Sequence, residues 1–275
     1  MDERKTLREK KETLEALLRQ CGRVAVAFSA GVDSTFLLHT AHEVLGDNVI
    51  TLTGRTVSTP ERELREAADF CKALGVRHVV LDVDQMAIPG FADNPPERCY
   101  ICKKALFTAF LKKADDLGFP VLVEGTNADD TSDYRPGLRA LQELRVCSPL
   151  LECGLTKQEI RALSREAGLP TWDKPAMACL ATRIPCGDAI TPDKLRVIGD
   201  AEQFLMDKGF RQVRVRMHGR IARIETQEAD IPRITEPALR QEIVQKLCGL
   251  GFSFVTLDLS GYECGSVNRK SGSRN

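Results

Sequence analysis

The sequence has no surplus of either charge. Lys+Arg and Asp+Glu both number 39, so the formal net charge is zero. That excludes a whole-molecule pull toward nucleic acid or an anionic membrane and leaves room only for local basic patches. No run of 18 or more apolar residues occurs. The opening stretch MDERKTLREKKETLEALLRQ is charged and helix-like where a signal peptide would carry an apolar core. These absences lead to the expectation of a cytoplasmic protein with no membrane and no nucleic-acid partner. No internal repeat is present either. What remains is 275 residues, 43% hydrophobic and 28% charged, the composition of a soluble globular chain with one large or two moderate domains. The ten cysteines are many for a reducing compartment. Structural disulfides are not expected there, so each thiol is either a small buried hydrophobe or a ligand or nucleophile. The buried reading suits Cys21, Cys71, Cys147, Cys153 and Cys248.

Hydrophobic periodicity predicts a helix over 4–20, a strand over 23–28 and a helix over 33–45. A strand over 49–53, a helix over 60–74, a strand over 77–82, a helix over 100–117 and a strand over 120–124 follow. This alternation argues for an α/β fold with a parallel sheet. The segment 125–155 reads as loop-rich, and Thr156-Lys157-Gln158-Glu159 as a capping box opening a helix that ends at Gly168. Residues 170–190 have three prolines and no periodicity. Beyond them the pattern changes to a helix over 191–208, a hairpin 211–217/220–225, a helix over 236–249 and a strand over 253–259. The domains expected are 1–185, a smaller α+β unit 186–268 and a tail 269–275.

The chemistry-bearing stretch is VAVAFSAGVDSTFLL, residues 24–38. An apolar strand ends in small and hydroxyl residues, and a helix restarts at once. The helix offers its first N–H groups and the positive end of its dipole to an anion. Neither G-x-x-x-x-G-K-[ST] nor G-x-G-x-x-G is present. The spacing S-x-G-x-D-S after a first strand instead resembles the pyrophosphate-binding loop of the ATP pyrophosphatases, S-G-G-x-D-S, with Ala30 at the first glycine. That resemblance implies ATP bound by Ser29, Ala30, Gly31, Asp33 and Ser34, with cleavage between its α and β phosphates. Gly125, Thr126 and Asn127 follow the fourth strand, at the carboxyl edge where α/β sites form.

Cys99 and Cys102 form a C-x-x-C without a matching second pair, which leaves zinc, redox and plain buried thiols open. Cys179 and Cys186 lie in the 170–190 loop near Arg183, and Cys264 follows the last strand. Three loop thiols could ligate an iron–sulfur cluster or be unrelated. Arg214 and Arg216, two apart on a strand, share a sheet face and suit a phosphate clamp; a solvated strand face is the alternative.

In order, AFSAGVDSTFLL, NPPERCYICKKALF, EGTNADDTSDYRPGLRA, the stretch from Ser148 to Gly187, and VRVRMHGRIARIE resemble the LarE family of ATP-dependent sulfur transferases. The resemblance implies a pyridinium-3,5-biscarboxylic acid mononucleotide as substrate. Its carboxylates become thiocarboxylates through an acyl adenylate, toward the nickel-pincer cofactor of lactate racemase. It implies ATP with Mg²⁺, and a homo-oligomer. Two sulfur sources are implied by the family: a [4Fe-4S] cluster on Cys179, Cys186 and Cys264, or a sacrificial Cys179 left as dehydroalanine. Arg183, Arg214 and Arg216 become candidates for substrate phosphate or adenylate charge, and Glu202 and Glu225 for metal or acid–base roles. A tRNA thiolase, an amide-forming synthetase and a nucleotide-binding regulatory module are the rival classes.

Overall fold

Strand β1 (Val24–Ala27) lies inside a four-stranded parallel sheet of order β3-β2-β1-β4, with β2 at Val49–Arg55, β3 at Arg77–Asp82 and β4 at Val121–Val123. The computed structural model describes residues 6–132 and 136–263. Cys264 and the tail 269–275 lie outside the described residues. Burial on both faces explains the unbroken apolar run of β1. Val24 and Val26 join a core with helices α1 (Leu7–Cys21), α2 (Val32–Leu45), α3 (Glu61–Leu74) and α7 (Lys157–Glu166). Ala25, between them, joins Ile50, Leu52 and the phenylalanines of α4 (Arg98–Asp116) in a second core. The period of two thus splits one strand between two cores.

The helices start where local chemistry directs. Thr6 and Glu9 form a capping box on α1, and Thr156 and Glu159 form the expected one on α7. The 125–155 segment is less irregular than its composition suggests, since it holds α5 (Pro136–Glu143) and α6 (Pro149–Glu152). At eight and four residues these helices span too few turns for a 3.6-residue period to register.

The chain divides into two compact units. The first comprises the chain to Ile88 and Glu97–Met177; the second comprises Pro89–Pro96 and the chain from Ala178. In the second unit α8 (Pro192–Asp207) buries the stripe Leu195, Ile198, Ala201 and Leu205. A three-stranded sheet of order β5-β6-β7 accompanies it, with β5 at Val213–His218, β6 at Ile221–Thr226 and β7 at Phe254–Leu257. β5 and β6 form the expected hairpin, whereas β7 pairs parallel to β6 after α9 (Ile231–Ile234) and α10 (Pro237–Gly249).

Candidate active site

The 29–34 loop joins β1 to α2, and its form follows from its small residues. Gly31 caps α2 without a side-chain hydrogen bond, so the first helical N–H groups keep their capacity for an anion. The hydroxyls of Ser29 and Ser34 lie 3.2 Å apart, and Ser34 Oγ donates to the Gly31 carbonyl at 3.2 Å. Ala30 adopts φ +53°, the left-handed region that favours glycine. β4 leads into Gly125, where a Cβ would sit 3.0 Å from Ser34 N and 3.2 Å from Asp33 Cβ. Glycine here lets this edge approach the first turn of α2 without a tight Cβ contact.

Asn127 completes the edge. Its Nδ2 donates to Asp33 Oδ1 at 3.3 Å, while its Oδ1 accepts from Asp129 N at 3.0 Å. Thr126 donates through N and Oγ1 to the buried Glu124 carboxylate at 3.1 and 2.8 Å. The polar run after β4 is therefore both a self-capped turn and a contact to the 29–34 loop. Asp33 also forms an ion pair with Lys157, the first residue of α7.

The second unit carries the arginines. Arg183 grips Glu202 with two parallel bonds, Nε to Oε1 at 2.8 Å and Nη2 to Oε2 at 2.9 Å. Its Nη1 donates to the carbonyls of Ala178 (2.7 Å) and Cys179 (3.1 Å). Arg183 thus holds the backbone of the turn that bears Cys179. Arg214 and Arg216 share a face of β5 and are both buried. Arg216 pairs with Glu225 and donates through Nη1 to the Thr182 carbonyl at 3.0 Å. Arg214 donates to the Val213 carbonyl at 2.8 Å and stacks over Tyr262. Burial, then the nearby Arg183 charge, pulls the Arg214 guanidinium below its ordinary value. Glu225 Oε2 is buried with no hydrogen-bond partner among the described residues.

Cys179 and Cys186 are exposed free thiols of this unit, and Cys186 Sγ donates to the Asn94 carbonyl at 3.4 Å. No group of three His, Cys, Asp or Glu side chains suited to a metal ion occurs among the described residues. Cys264 is not among them. Cys99 is exposed at the start of α4, and Cys102, one turn on, accepts from Gln85 Nε2 at 3.0 Å.

No family model matches the chain. The pyridinium-3,5-bisthiocarboxylic acid mononucleotide synthase of Lactiplantibacillus plantarum is 36% identical over 264 residues, covering 96% of this chain and 95% of its own length. The chain belongs to the LarE family. It is therefore an ATP-dependent sulfurtransferase of the PP-loop superfamily. An uncharacterized protein of Synechocystis sp. is 40% identical over 263 residues, 96% of this chain and 98% of that protein. The tRNA-specific 2-thiouridylase MnmA of Azorhizobium caulinodans matches 190 residues at 31% identity, 56% of this chain and 49% of its own.

Within this LarE-family chain, three residues around the 29–34 loop carried no signal in the sequence: Lys157, Glu124 and Lys174. Lys157 stood inside the recognised capping box, but only the box's polar ends carried a signal. Lys174 Nζ donates to the Ala30 carbonyl at 2.7 Å from a stretch that reads as irregular.

Proposed function

We propose that this LarE-family enzyme converts the carboxylates of a pyridinium-3,5-biscarboxylic acid mononucleotide to thiocarboxylates, a step toward a nickel-pincer cofactor. The near end-to-end match with the Lactiplantibacillus plantarum synthase carries this reading. A tRNA substrate is disfavoured because the MnmA match covers only about half of either chain.

In the first step a substrate carboxylate oxygen attacks the α-phosphorus of ATP. The α–β bridge breaks and pyrophosphate leaves into the cradle of Ser29, Gly31, Ser34 and the first N–H groups of α2. Asp33, ordered by Lys157 and Asn127, suits the Mg²⁺ that accompanies ATP. In the second step a sulfur nucleophile adds to the acyl carbon and the bond to AMP oxygen breaks. Arg183, Arg214 and Arg216 are buried in the second unit and are the candidates to meet substrate phosphate or adenylate charge. The first unit serves as the PP-loop domain, the second as the sulfur-transfer and substrate domain.

For the sulfur source, Cys179 and Cys186 are exposed thiols of the kind an iron–sulfur cluster needs, with Cys264 as third ligand. When bound, that cluster supplies the sulfide that displaces AMP. A second reading is favoured by one observation: the Cys186 thiol already has a carbonyl partner, whereas Cys179 is exposed on an anchored backbone. There Cys179 attacks the acyl carbon itself, AMP leaves, a base removes the Cys179 α-proton, and the Cβ–S bond breaks to leave dehydroalanine.

Anaerobic purification with iron and labile-sulfide analysis decides between them. About four irons per chain, lost in Cys179→Ala, Cys186→Ala and Cys264→Ala, is the expected result. Absence of iron after reconstitution, with Cys179 lighter by one H₂S after turnover, overturns the cluster. No pyrophosphate release from ATP with the biscarboxylate overturns the whole reading. Light scattering tests the homo-oligomer.

A further inference from the structure

Ala30 combines a backbone that L-residues disfavour with complete enclosure: φ is +53° and its exposure 1%. Such strain persists only where the surroundings hold it. The holding group is visible. Lys174 Nζ donates to the Ala30 carbonyl at 2.7 Å and to Glu66 Oε2 on α3 at 2.5 Å. Lys174 is itself fixed at its backbone, since Arg161 of α7 donates to the carbonyls of Trp172 (2.6 Å) and Lys174 (2.7 Å). Arg161, Lys174 and Glu66 thus form a brace from two helices onto one carbonyl of the phosphate loop.

We propose that Lys174 is a positioning residue that sets the Ala30–Gly31 peptide for phosphate binding. The proposal rests on the reading of 29–34 as the ATP cradle. The argument is one of peptide geometry. The bond is trans and planar, so its C=O and N–H point to opposite sides. A cation fixed on the Ala30 oxygen directs the Gly31 N–H away from itself. Lys174 therefore acts on phosphate through an amide and does not itself serve as the phosphate ligand. A glycine at position 30 would adopt this backbone freely and need less bracing. Ala30 and Lys174 are in this sense a matched pair.

The test is a double-mutant cycle with Lys174→Met, Ala30→Gly and the double variant, and with Lys174→Arg as conservative control. Binding of pyrophosphate and of adenosine is measured by calorimetry, and KM for ATP and kcat by pyrophosphate release. The proposal expects Lys174→Met to raise KM for ATP and weaken pyrophosphate binding about tenfold, with adenosine affinity unchanged. Ala30→Gly should restore most of that loss in the Lys174→Met background, because glycine adopts the backbone at position 30 without the brace. Lys174→Arg should retain most of the affinity. Wild-type pyrophosphate affinity in Lys174→Met overturns the proposal. So does equal loss for adenosine and pyrophosphate, or a loss that Ala30→Gly leaves untouched. If the wild type binds neither ATP nor pyrophosphate, the cradle reading itself falls, an outcome distinct from all of these.

Discussion

Gly125 sits where β4 meets the first turn of α2, and its missing Cβ is what permits the approach. A methyl group there would meet Ser34 N at 3.0 Å, so the first turn of α2 would have to give by a few tenths of an ångström. Such overpacking costs about 1–3 kcal/mol. Carried by the 29–34 loop, it should lower kcat/KM for ATP about 10- to 100-fold in Gly125→Ala, read by pyrophosphate release beside an unfolding curve. The thiols give a second residue-scale expectation. Burial pushes Cys21, Cys71 and Cys147 above the ordinary thiol value, so their thiolate fraction at neutral pH is small. Cys248, expected to be buried, is exposed, because α10 turns Ile243 and Leu247 inward instead; timed alkylation with peptide mass mapping should label exposed Cys99, Cys179, Cys186 and Cys248 first and buried Cys71 last. The small and hydroxyl residues of the 29–34 loop and Gly125 were legible in the sequence because they punctuate an apolar run. Lys157 and Lys174 were not. Each reaches a partner more than a hundred positions away, and such an ion pair leaves no local pattern.

Elements with a long stripe were the readable ones. On α8, Leu195, Ile198, Ala201 and Leu205 recur at helical spacing, and all are fully buried. Truncating Leu205→Ala should cost about 2–5 kcal/mol by lost transfer and residual cavity, measured as a lower urea midpoint at unchanged slope. Strands β2 and β3 supply a pH expectation. His78 on β3 contacts Thr53 Oγ1 of β2 at 2.9 Å, and burial pulls its imidazole below the ordinary value. Below about pH 6.5 the unfolded chain binds a proton that folded His78 does not. Stability should therefore be kept above that pH and fall as pH drops from there toward the folded value. Urea midpoints at several pH values check this, and His78→Asn should flatten the slope. The hairpin β5–β6 was legible from its turn residues and alternation. The parallel return of β7 was not, because partner and direction are set by packing across a crossover rather than by β7's own four residues.

At the scale of the molecule, alternating strands and helices compel a parallel sheet, because parallel neighbours need crossover connections. The order β3-β2-β1-β4 is a non-local choice that periodicity does not encode. No described helix is long and apolar enough to cross a membrane. With matched charges, the protein should bind RNA weakly, if at all, at physiological salt. Filter binding with tRNA over a salt series measures this. The second unit draws on two stretches of chain, and Asn94 shows what joins them. Fully buried, its side-chain amide donates to the carbonyls of Ile184, Pro185 and Asp188, 90 to 94 positions downstream. On a ribosome adding residues at about 5–20 per second, Asn94 emerges roughly 5 to 20 s before its acceptors exist. A gene segment cut at position 178 would carry those carbonyls without their donor. A single contiguous segment that carries this unit intact must therefore also carry codons 97–177 of the first unit. Its inheritance is tied to the first unit, whose codons flank 89–96 on both sides.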